Sequence, residues 1–340
     1  MIEMRYERTI EMIKRLVVDG TVPGVSYAML DLSSDQIMSG IYGNEALVPD
    51  VEPLRENQLY DVASLTKVVG TTNVILQLIE QGKLRLTDSI SQYLPEWRYP
   101  QVTVRHLLTH TSGITGYIKN RNQLPKLELK KALLGLHVGN DFDQQMTYSD
   151  INFIFLGWIA SAILNQPIQD LISSHVLQPL KMTDSTFYPT NPAECVPTEV
   201  SPERGLIRGH VHDPKAAILG AECGSAGLFA TKQDLLTFAK SLLTDDETLL
   251  SNETKDVLAQ NNAPNAAVRS LGWALIPSAA ADEHLCIWHS GFTGTAIVLD
   301  RQTGQGLVFL SNRIHPDSPN EPFLARRYAI IQSYLTEKEQ

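Results

Sequence analysis

A serine and a lysine three residues apart form the stretch of this sequence that is most suggestive of chemistry. Ser64 and Lys67 open "SLTKVVGTTNVILQLIEQG", whose apolar residues recur with the period of a buried helix face. Because residues three apart share a helix face, the hydroxyl and the amine are predicted to lie side by side near the helix N-terminus. This predicts a serine nucleophile activated by Lys67, whose pKa burial would lower. A capping serine and a surface lysine are the alternative, because Ser-x-x-Lys alone is a weak motif.

The elements that must position this pair come from both ends of the sequence. Near the start, "GVSYAML" and "QIMSGIY" are strand candidates separated by the turn "DLSSD". Near the end, "LGWALI", "LCIWHS", "TAIVLD" and "GLVFLS" follow the same pattern. We therefore predict an α+β fold with one antiparallel sheet flanked by helices, an α/β/α sandwich with a helical insertion. The predicted lobes are residues 1–87 with 218–340 and residues 88–217, with the active site between them.

Helices are predicted on both sides of this sheet and in the insertion. Tyr6, Ile10, Ile13 and Val17 share one face of an amphipathic first helix. Further helices are predicted over 104–108, 126–136, 150–164, 168–176 and 322–335. Thr231 and Asp234 have the spacing of a capped helix start, and the glycines of the preceding "GSAG" are predicted to let that loop pass close to the pocket.

Composition excludes several classes of protein. The 340 residues are 43% hydrophobic and 19% charged, with a formal net charge of −10 and no basic block. Nucleic acid and anionic membranes are therefore poor partners. Three cysteines far apart in sequence argue against a disulfide framework. The acidic residues near the start argue against a signal peptide, so a cytoplasmic location is expected if Met1 is the natural start.

Several segments occur in an order that resembles the serine β-lactamase and penicillin-binding protein superfamily. The segments are "PGVSYAML", "ASLTKVVGTTNVILQLIEQGKLRLTDSISQYLP", "VTVRHLLTHTSGI", "YSDINFIFLGWI", "AGLFATKQDLLTFAKSLL" and "WHSGFTGTAIVLD". The likeness is to the class C branch, which includes family VIII carboxylesterases and D-amino-acid peptidases. It covers residues 23–312 and implies an acyl-serine mechanism that needs no cofactor.

The resemblance assigns roles to further residues. Ser64 and Lys67 match the first active-site motif of the family, "YSD" approximates a Tyr-x-Asn element, and "HSG" stands in place of Lys-Thr-Gly. Tyrosine has an ordinary pKa near ~10, but a nearby ammonium favours the tyrosinate. Tyr148 with Lys67 is therefore the candidate for taking the Ser64 proton and returning it to the leaving group. The resemblance also implies an oxyanion hole from the backbone N–H groups of Ser64 and of Phe292, which follows Gly291.

Two departures from the family pattern bear on the substrate. Asp150 stands where asparagine is usual, and an acid there would either hold Lys67 cationic or bind a substrate amine or hydroxyl. It would also repel a substrate carboxylate. His289 replaces a lysine that helps to hold the substrate carboxylate, so recognition of an anion here would need a protonated imidazole. Arg313 is a candidate replacement for the lost cation. The prediction is therefore an esterase or peptidase with weak or no β-lactamase activity.

Other readings of the sequence remain open. A penicillin sensor that is acylated without turnover is one alternative, and a true class C-like β-lactamase is another. A metal site is disfavoured, because His106 and His110 lack the glutamate of His-Glu-x-x-His and the "HVHD" of residues 210–213 has no third histidine nearby. His110 is expected to be architectural, and the "HVHD" loop is expected to return beside the site. The expected partner is a small ester, amide or β-lactam, while the sequence leaves oligomeric state open.

Overall fold

A seven-stranded antiparallel sheet runs through the computed structural model, which describes residues 6–317 and 321–340. Its strands, numbered in chain order together with the shorter ones, are β1 Gly24–Asp31, β2 Gln36–Ala46, β3 Glu52–Pro53, β10 Ala274–Pro277, β11 Leu285–Ser290, β12 Ala296–Asp300 and β13 Gln305–Ser311. They lie in the order β10-β11-β12-β13-β1-β2-β3. In the centre β13 pairs with β1, with Tyr27 opposite Phe309. The prediction that both ends of the sequence build one sheet is confirmed.

The helices cover both faces of this sheet. They are α1 Glu7–Val18, α2 Thr72–Glu80, α3 Val104–Leu108, α4 Lys126–Leu134, α5 Asp150–Leu164, α6 Ile168–Ile172, α7 Pro214–Leu219, α8 Lys232–Leu243, α9 Asn252–Leu258 and α10 Glu321–Glu337. A π-helical turn, Lys67–Thr71, leads directly into α2, and another, Ser173–Leu177, follows α6. Short 3₁₀ turns lie at Ile90–Gln92, Pro192–Glu194 and Gly220–Glu222.

Alternate residues of β1 enter two different cores. Tyr27 and Met29 pack in the core that α1 and α10 cover. Ala28 and Leu30 pack in the larger core, which includes α2, α5 and α8. Successive side chains of a strand point to opposite faces, so β1 is buried on both of its faces. The fold is therefore the predicted α+β sandwich, with helices on each side of an antiparallel sheet.

Three short strand pairs lie outside the main sheet. They are β4 Tyr60–Asp61 with β9 Phe229–Ala230, β5 Ile114–Thr115 with β6 His137–Val138, and β7 Val200–Ser201 with β8 Gly205–Leu206. The first pair matters for the site, because β4 leads into the Ser64 turn. The lobe boundaries at residues 87 and 217 stay a prediction.

Some predicted element bounds are wrong for local reasons. The helix predicted over 126–136 ends at Leu134, because Gly135 forms its C-cap. The strand predicted from residue 271 begins only at Ala274, since Gly272 has a left-handed φ of 81°. The last helix extends to Glu337. Among the described residues, no single helix has the length and apolar character to cross a bilayer, and the one pair that passes together is bent by 78°.

Candidate active site

Ser64 lies in a tight turn between β4 and the helix that contains Lys67. The turn is fixed by Asp61, whose Oδ1 accepts a hydrogen bond of 2.9 Å from the backbone N–H of Ala63. Ala63 has a left-handed φ of 47°, and the N–H of Leu65 donates to the Val62 carbonyl at 3.0 Å. Burial raises the pKa of Asp61. The sequence analysis did not single out Asp61, although it is the residue that shapes this turn.

Lys67 is fully buried, with all its polar contacts directed at the site. Its Nζ donates to Ser64 Oγ at 2.8 Å, to Asp150 Oδ1 at 2.8 Å and to the Ser225 carbonyl at 3.1 Å. These three contacts match the three donors of an ammonium. Ser225 belongs to the "GSAG" loop, and a Cβ on Gly224 would lie 2.5 Å from the Phe153 carbonyl oxygen. The predicted close passage of this loop is thereby confirmed.

The sign of the Lys67 pKa shift is opposite to the one expected from burial. Burial favours the neutral amine, but the charge of Asp150 and the neighbouring Tyr148 outweigh it, so the pKa of Lys67 lies above its ordinary value. The expectation of a lowered pKa is therefore wrong. Lys67 remains an ammonium at neutral pH, and it acts on Ser64 as a hydrogen-bond donor.

A chain of alternating charges extends from Lys67 behind the site. Asp150 Oδ2 lies 3.2 Å from Lys215 Nζ, which lies 2.8 Å from Asp213 Oδ2. Burial alone would raise the pKa of Asp150, but the two ammonium groups outweigh it and hold the pKa below the usual range. Asp213 also caps α7 by accepting from the Ala216 N–H at 2.8 Å. Lys215 was missed from sequence, although it follows the "HVHD" loop, which does return beside the site as expected.

Tyr148 lies over Lys67 at the start of α5. The Lys67 Nζ is 5.1 Å from the centre of the Tyr148 ring, and the ring itself is 44% exposed. The buried imidazole of His110 packs against the Tyr148 ring, with 4.5 Å between ring centres. His110 Nδ1 accepts from the Ser149 N–H at 3.2 Å and contacts Asn152 Nδ2 at 2.9 Å. His110 thus has the expected architectural role: through these contacts it fixes the position of the segment that carries Tyr148.

The third predicted motif, "HSG", ends β11 and faces the same space. His289 is buried, and its Nδ1 lies 3.0 Å from the Ser290 carbonyl, to which it donates. Burial, with help from the Arg269 and Lys67 charges, holds the pKa of His289 well below 6.5. The imidazole is therefore neutral at pH 7, which opposes the expectation that a protonated His289 binds an anion.

Gly291 can only be a glycine in this packing. A Cβ there would lie 2.2 Å from Thr295 Oγ1 and 2.4 Å from the Val62 carbonyl oxygen. Its close approach brings the residue after it next to the Ser64 turn. Among the residues that the structure describes, the N–H groups of Ser64 and Phe292 donate to no partner, which leaves both available to a substrate oxygen. The Phe292 carbonyl is oriented by Arg313, whose Nε donates to it at 2.6 Å.

These groups surround a cavity of about 410 Å³. Ser64, Tyr148, His289, Gly291, Phe292 and Arg313 all line it, while Lys67 and Asp150 support Ser64 from behind. The full lining is Ser64, Tyr148, Arg269, Ala274, Trp288, His289, Ser290, Gly291, Phe292, Arg313, Leu324 and Arg327. The structure therefore brings together every residue that the sequence proposed for the site. It adds two arginines, Arg269 and Arg327, which no motif had indicated.

One cluster elsewhere has metal-ligand residue types. In the described part of the chain, ligand atoms of His284, Cys286 and Asp300 lie within 4.8 Å of one another. Asp300 Oδ2 is already bound by His284 Nε2 at 2.8 Å and by the ammonium of Lys338 at 2.6 Å. The carboxylate is thus neutralised without a metal, and the cluster is best described as a buried ion network.

The comparisons with known proteins agree with this fold. The sequence profile described as Beta-lactamase matches residues 10–330, so the chain belongs to the Beta-lactamase family. A relative from Escherichia coli O157:H7, named "Putative D-alanyl-D-alanine carboxypeptidase", is 26% identical over 88% of this chain and 80% of its own length. A Salmonella typhi protein of the same name is 25% identical over 78% of this chain and 71% of its own length.

Solved structures with different activities share the fold. Unliganded LovD, the simvastatin synthase of Aspergillus terreus, is 19% identical with a TM-score of 0.78, covering 98% of both chains. A class C β-lactamase in complex with cefoxitin is 22% identical with a TM-score of 0.76, covering 96% of this chain and 97% of its own. EstCE1, a hydrolase with promiscuous acyltransferase activity, is 19% identical with a TM-score of 0.75, covering 95% and 98%. At these identities the likeness establishes the fold alone.

Proposed function

We propose that this chain is a serine hydrolase that cleaves small esters or amides through an acyl-Ser64 intermediate. The observation that carries the proposal is the 2.8 Å hydrogen bond from Lys67 Nζ to Ser64 Oγ at the edge of the cavity. A surface lysine would not be fully buried, and a serine that served only as a cap would not receive an ammonium bond. Membership of the Beta-lactamase family supports the hydrolase class.

Tyr148 is the general base in this proposal. Because Lys67 is held as an ammonium and donates to Ser64 Oγ, the serine keeps its own proton until another group accepts it. Tyr148 lies beside Lys67 and lines the same cavity. As the Ser64 Oγ–carbon bond forms, the proton passes to the Tyr148 phenolate and the carbonyl electron pair moves to oxygen. Tyr148 then protonates the leaving group as its bond to carbon breaks, and water repeats the sequence on the acyl-enzyme.

The oxyanion is assigned to the N–H groups of Ser64 and Phe292. Both groups are unengaged among the described residues, and both adjoin the cavity. The second donor is oriented by the Gly291 packing and by the Gly294 N–H, which donates at 3.2 Å to the Gly291 carbonyl in the same peptide plane as the Phe292 N–H. A donor that is held in place before the reaction stabilises developing charge without reorganisation, and losing one typically costs about 10²–10³ in rate.

Arginines supply the positive charge that the third motif lacks. His289 is neutral, whereas Arg313 and Arg327 line the Ser64 cavity. A guanidinium binds a carboxylate more specifically than an ammonium, because its donors form a planar fork. We infer that Arg313 and Arg327 hold the carboxylate of a substrate that has one. Because two relatives carry the name "Putative D-alanyl-D-alanine carboxypeptidase", we include peptides with a terminal carboxylate among the amides to be tested.

The test is intact-protein mass spectrometry combined with turnover measurements. The protein is exposed to p-nitrophenyl acetate, D-amino-acid amides, a D-alanyl-D-alanine peptide, a penicillin and a cephalosporin. We expect ester or amide turnover and an acyl adduct that maps to Ser64. Ser64→Ala should abolish both in a folded protein, while Ser174→Ala, a change of the same kind on an exposed serine that does not line the cavity, should not.

Each other outcome selects a different function. An adduct with a β-lactam and no steady-state turnover of any compound would indicate a sensor. Rapid β-lactam turnover with slow ester turnover would indicate a class C-like β-lactamase. Wild-type turnover in a folded Ser64→Ala variant would contradict the nucleophile and with it the proposed function.

A further inference from the structure

Arg269 is a buried cation in the wall of the Ser64 cavity. It lies on the segment before β10, is 5% exposed, and its backbone forms an isolated bridge with Ala274. Its N–H donates to Asn261 Oδ1 at 3.1 Å, and its carbonyl accepts from the Asn262 N–H at 2.8 Å. The backbone of Arg269 is thereby fixed, and the guanidinium lies 5.8 Å from the centre of the Tyr148 ring.

This guanidinium has no acidic partner in residues 6–317 and 321–340. Its only side-chain hydrogen bond there runs from a terminal nitrogen to the Gly272 carbonyl at 3.3 Å, and its buried Nε has none. Burial lowers the pKa of Arg269 to about 10, which still leaves the group charged at neutral pH. The group that opposes this shift is Tyr148. A buried cation without a counter-ion is costly, so its position beside a candidate base calls for an explanation.

Two further cations, Arg313 and Arg327, line the same cavity as Tyr148, but the other groups packed near the ring are paired or neutral. Lys67, on the helix below the ring, is paired with Asp150 of α5 at 2.8 Å. Lys215 of α7 is balanced between Asp150 and Asp213. His110, which follows α3, and His289 on β11 also pack against the ring, with ring centres at 4.5 Å and 5.9 Å. Burial and the nearby cations hold the pKa of both histidines well below 6.5, so both are neutral.

We propose that Arg269 is a positioning residue for the general base: its charge stabilises the phenolate of Tyr148, because Asp150 already offsets the charge of Lys67. This inference rests on the proposed role of Tyr148. When the phenolate accepts the Ser64 proton, the Arg269 charge is briefly uncompensated, and when Tyr148 gives that proton to the leaving group, the ion pair is restored. Arg269 thus places beside Tyr148 a cation that has no acidic partner in the described residues, whereas the ammonium of Lys67 is paired with Asp150.

The size of the effect follows from the geometry. The Arg269 guanidinium lies 5.8 Å from the centre of the Tyr148 ring. If this distance is taken as the separation of two unit charges, removing one shifts the titration of the other by about 2 pH units at an effective dielectric constant of ~20, and partial exposure of Tyr148 reduces this shift. Removal of the charge should therefore raise the pH at which the base becomes active by about 1–2 units. A structural residue of the cavity wall would change the rate or stability without moving that pH.

The experiment measures kcat/KM for the neutral ester p-nitrophenyl acetate from pH 5.5 to 10, with the Ser64→Ala rate subtracted. The acidic limb of this profile is the rise in kcat/KM as the base loses its proton. In Arg269→Gln we expect this rise to move to higher pH by about 1–2 units, with rates that converge toward wild type at high pH. Arg269→Lys, which keeps a cation, should shift it by less than half as much. In the double variant Arg269→Gln/Asp150→Asn the limb should return toward wild type, because Lys67 is then no longer neutralised.

Several results would overturn the inference. An acidic limb that stays in place in Arg269→Gln, whether or not the rate falls, would show that Arg269 has a structural role only. A loss confined to anionic esters would make it a substrate-binding residue. If Arg269→Gln does not fold, Asp150→Asn alone should move the limb to lower pH, and an unmoved limb would refute the scheme. Turnover by Ser64→Ala would instead refute the proposed function.

Discussion

Replacing Lys215 by methionine tests whether the charge chain behind the site stabilises the fold. The change keeps most of the side-chain volume and removes an ammonium that bridges Asp150 at 3.2 Å and Asp213 at 2.8 Å. Breaking a fully buried ion pair from one side costs about 3–5 kcal/mol. Asp150 keeps Lys67, and the two carboxylates are 30% and 22% exposed, so we expect a loss of about 2–3 kcal/mol in the free energy of unfolding.

Lys232 offers a matched control. It is as buried as Lys215, and its Nζ lies 2.9 Å from Glu56, but that glutamate is 55% exposed and contacts no second cation in the described residues. An exposed carboxylate is readily resolvated when its partner is removed, so Lys232→Met should cost only about 0–1 kcal/mol. The difference in unfolding free energy between the two variants therefore measures the cost of leaving Asp150 and Asp213 without Lys215. The loss of a lysine side chain is common to both variants and cancels.

The assay is urea denaturation at pH 7.5, with equal m-values as the condition for comparing free energies. Lys215→Met should also cost at least about 1 kcal/mol less in an Asp150→Asn background, because one of the two stranded carboxylates is then neutral. Equal losses in Lys215→Met and Lys232→Met, within about 0.5 kcal/mol, would refute the argument. So would a Lys215→Met cost that is unchanged in the Asp150→Asn background.

Two further predictions concern the cavity itself. Tyr148→Phe should lower kcat for an ester by about 10²–10⁴-fold with little change in stability, since the ring is 44% exposed; a loss under about fivefold would point to another base. The ratio of kcat/KM for an anionic ester to that for a matched neutral ester should not change between pH 5.5 and 8.5, because the pKa of His289 lies well below 6.5 and arginine side chains carry their charge throughout this range. A ratio that falls as pH rises through 6.5 would show that protonated His289 binds the substrate anion.

The features that sequence predicted well depend on local periodicity or on spacing along the chain. The Ser64–Lys67 contact follows from one helical turn, and the strands of the sheet follow from short apolar runs between turn residues. The bounds of α3 and α5 were correct because Thr103 and Ser149 mark their starts as N-caps. Assembly of the two ends into one sheet followed from their similar patterns.

The electrostatics of the site could not be predicted in this way. The pKa of Lys67 depends on Asp150, which is distant in sequence, and the balance between burial and that charge is set by their 2.8 Å contact. His289 sits in a strand with no signal that its side chain would be buried. Arg269 and Lys215 belong to no motif, and their importance comes only from which groups face them. Spacing identified the reacting groups, whereas their protonation states required three-dimensional contacts.

The pairing of β1 with β13 has a consequence for how the protein is made. Tyr27 leaves the ribosome long before its partner Phe309. For most of synthesis, the edge of β1 that later pairs with β13 therefore has no partner strand. β1 is apolar on both faces, and an open apolar edge invites pairing with other chains. The β1–β2 hairpin can form at once, but its completion needs a long-range contact whose closure is slow. The nascent chain is therefore most exposed to aggregation just before β13 arrives, and early binding of a chaperone to residues 24–31 would protect it.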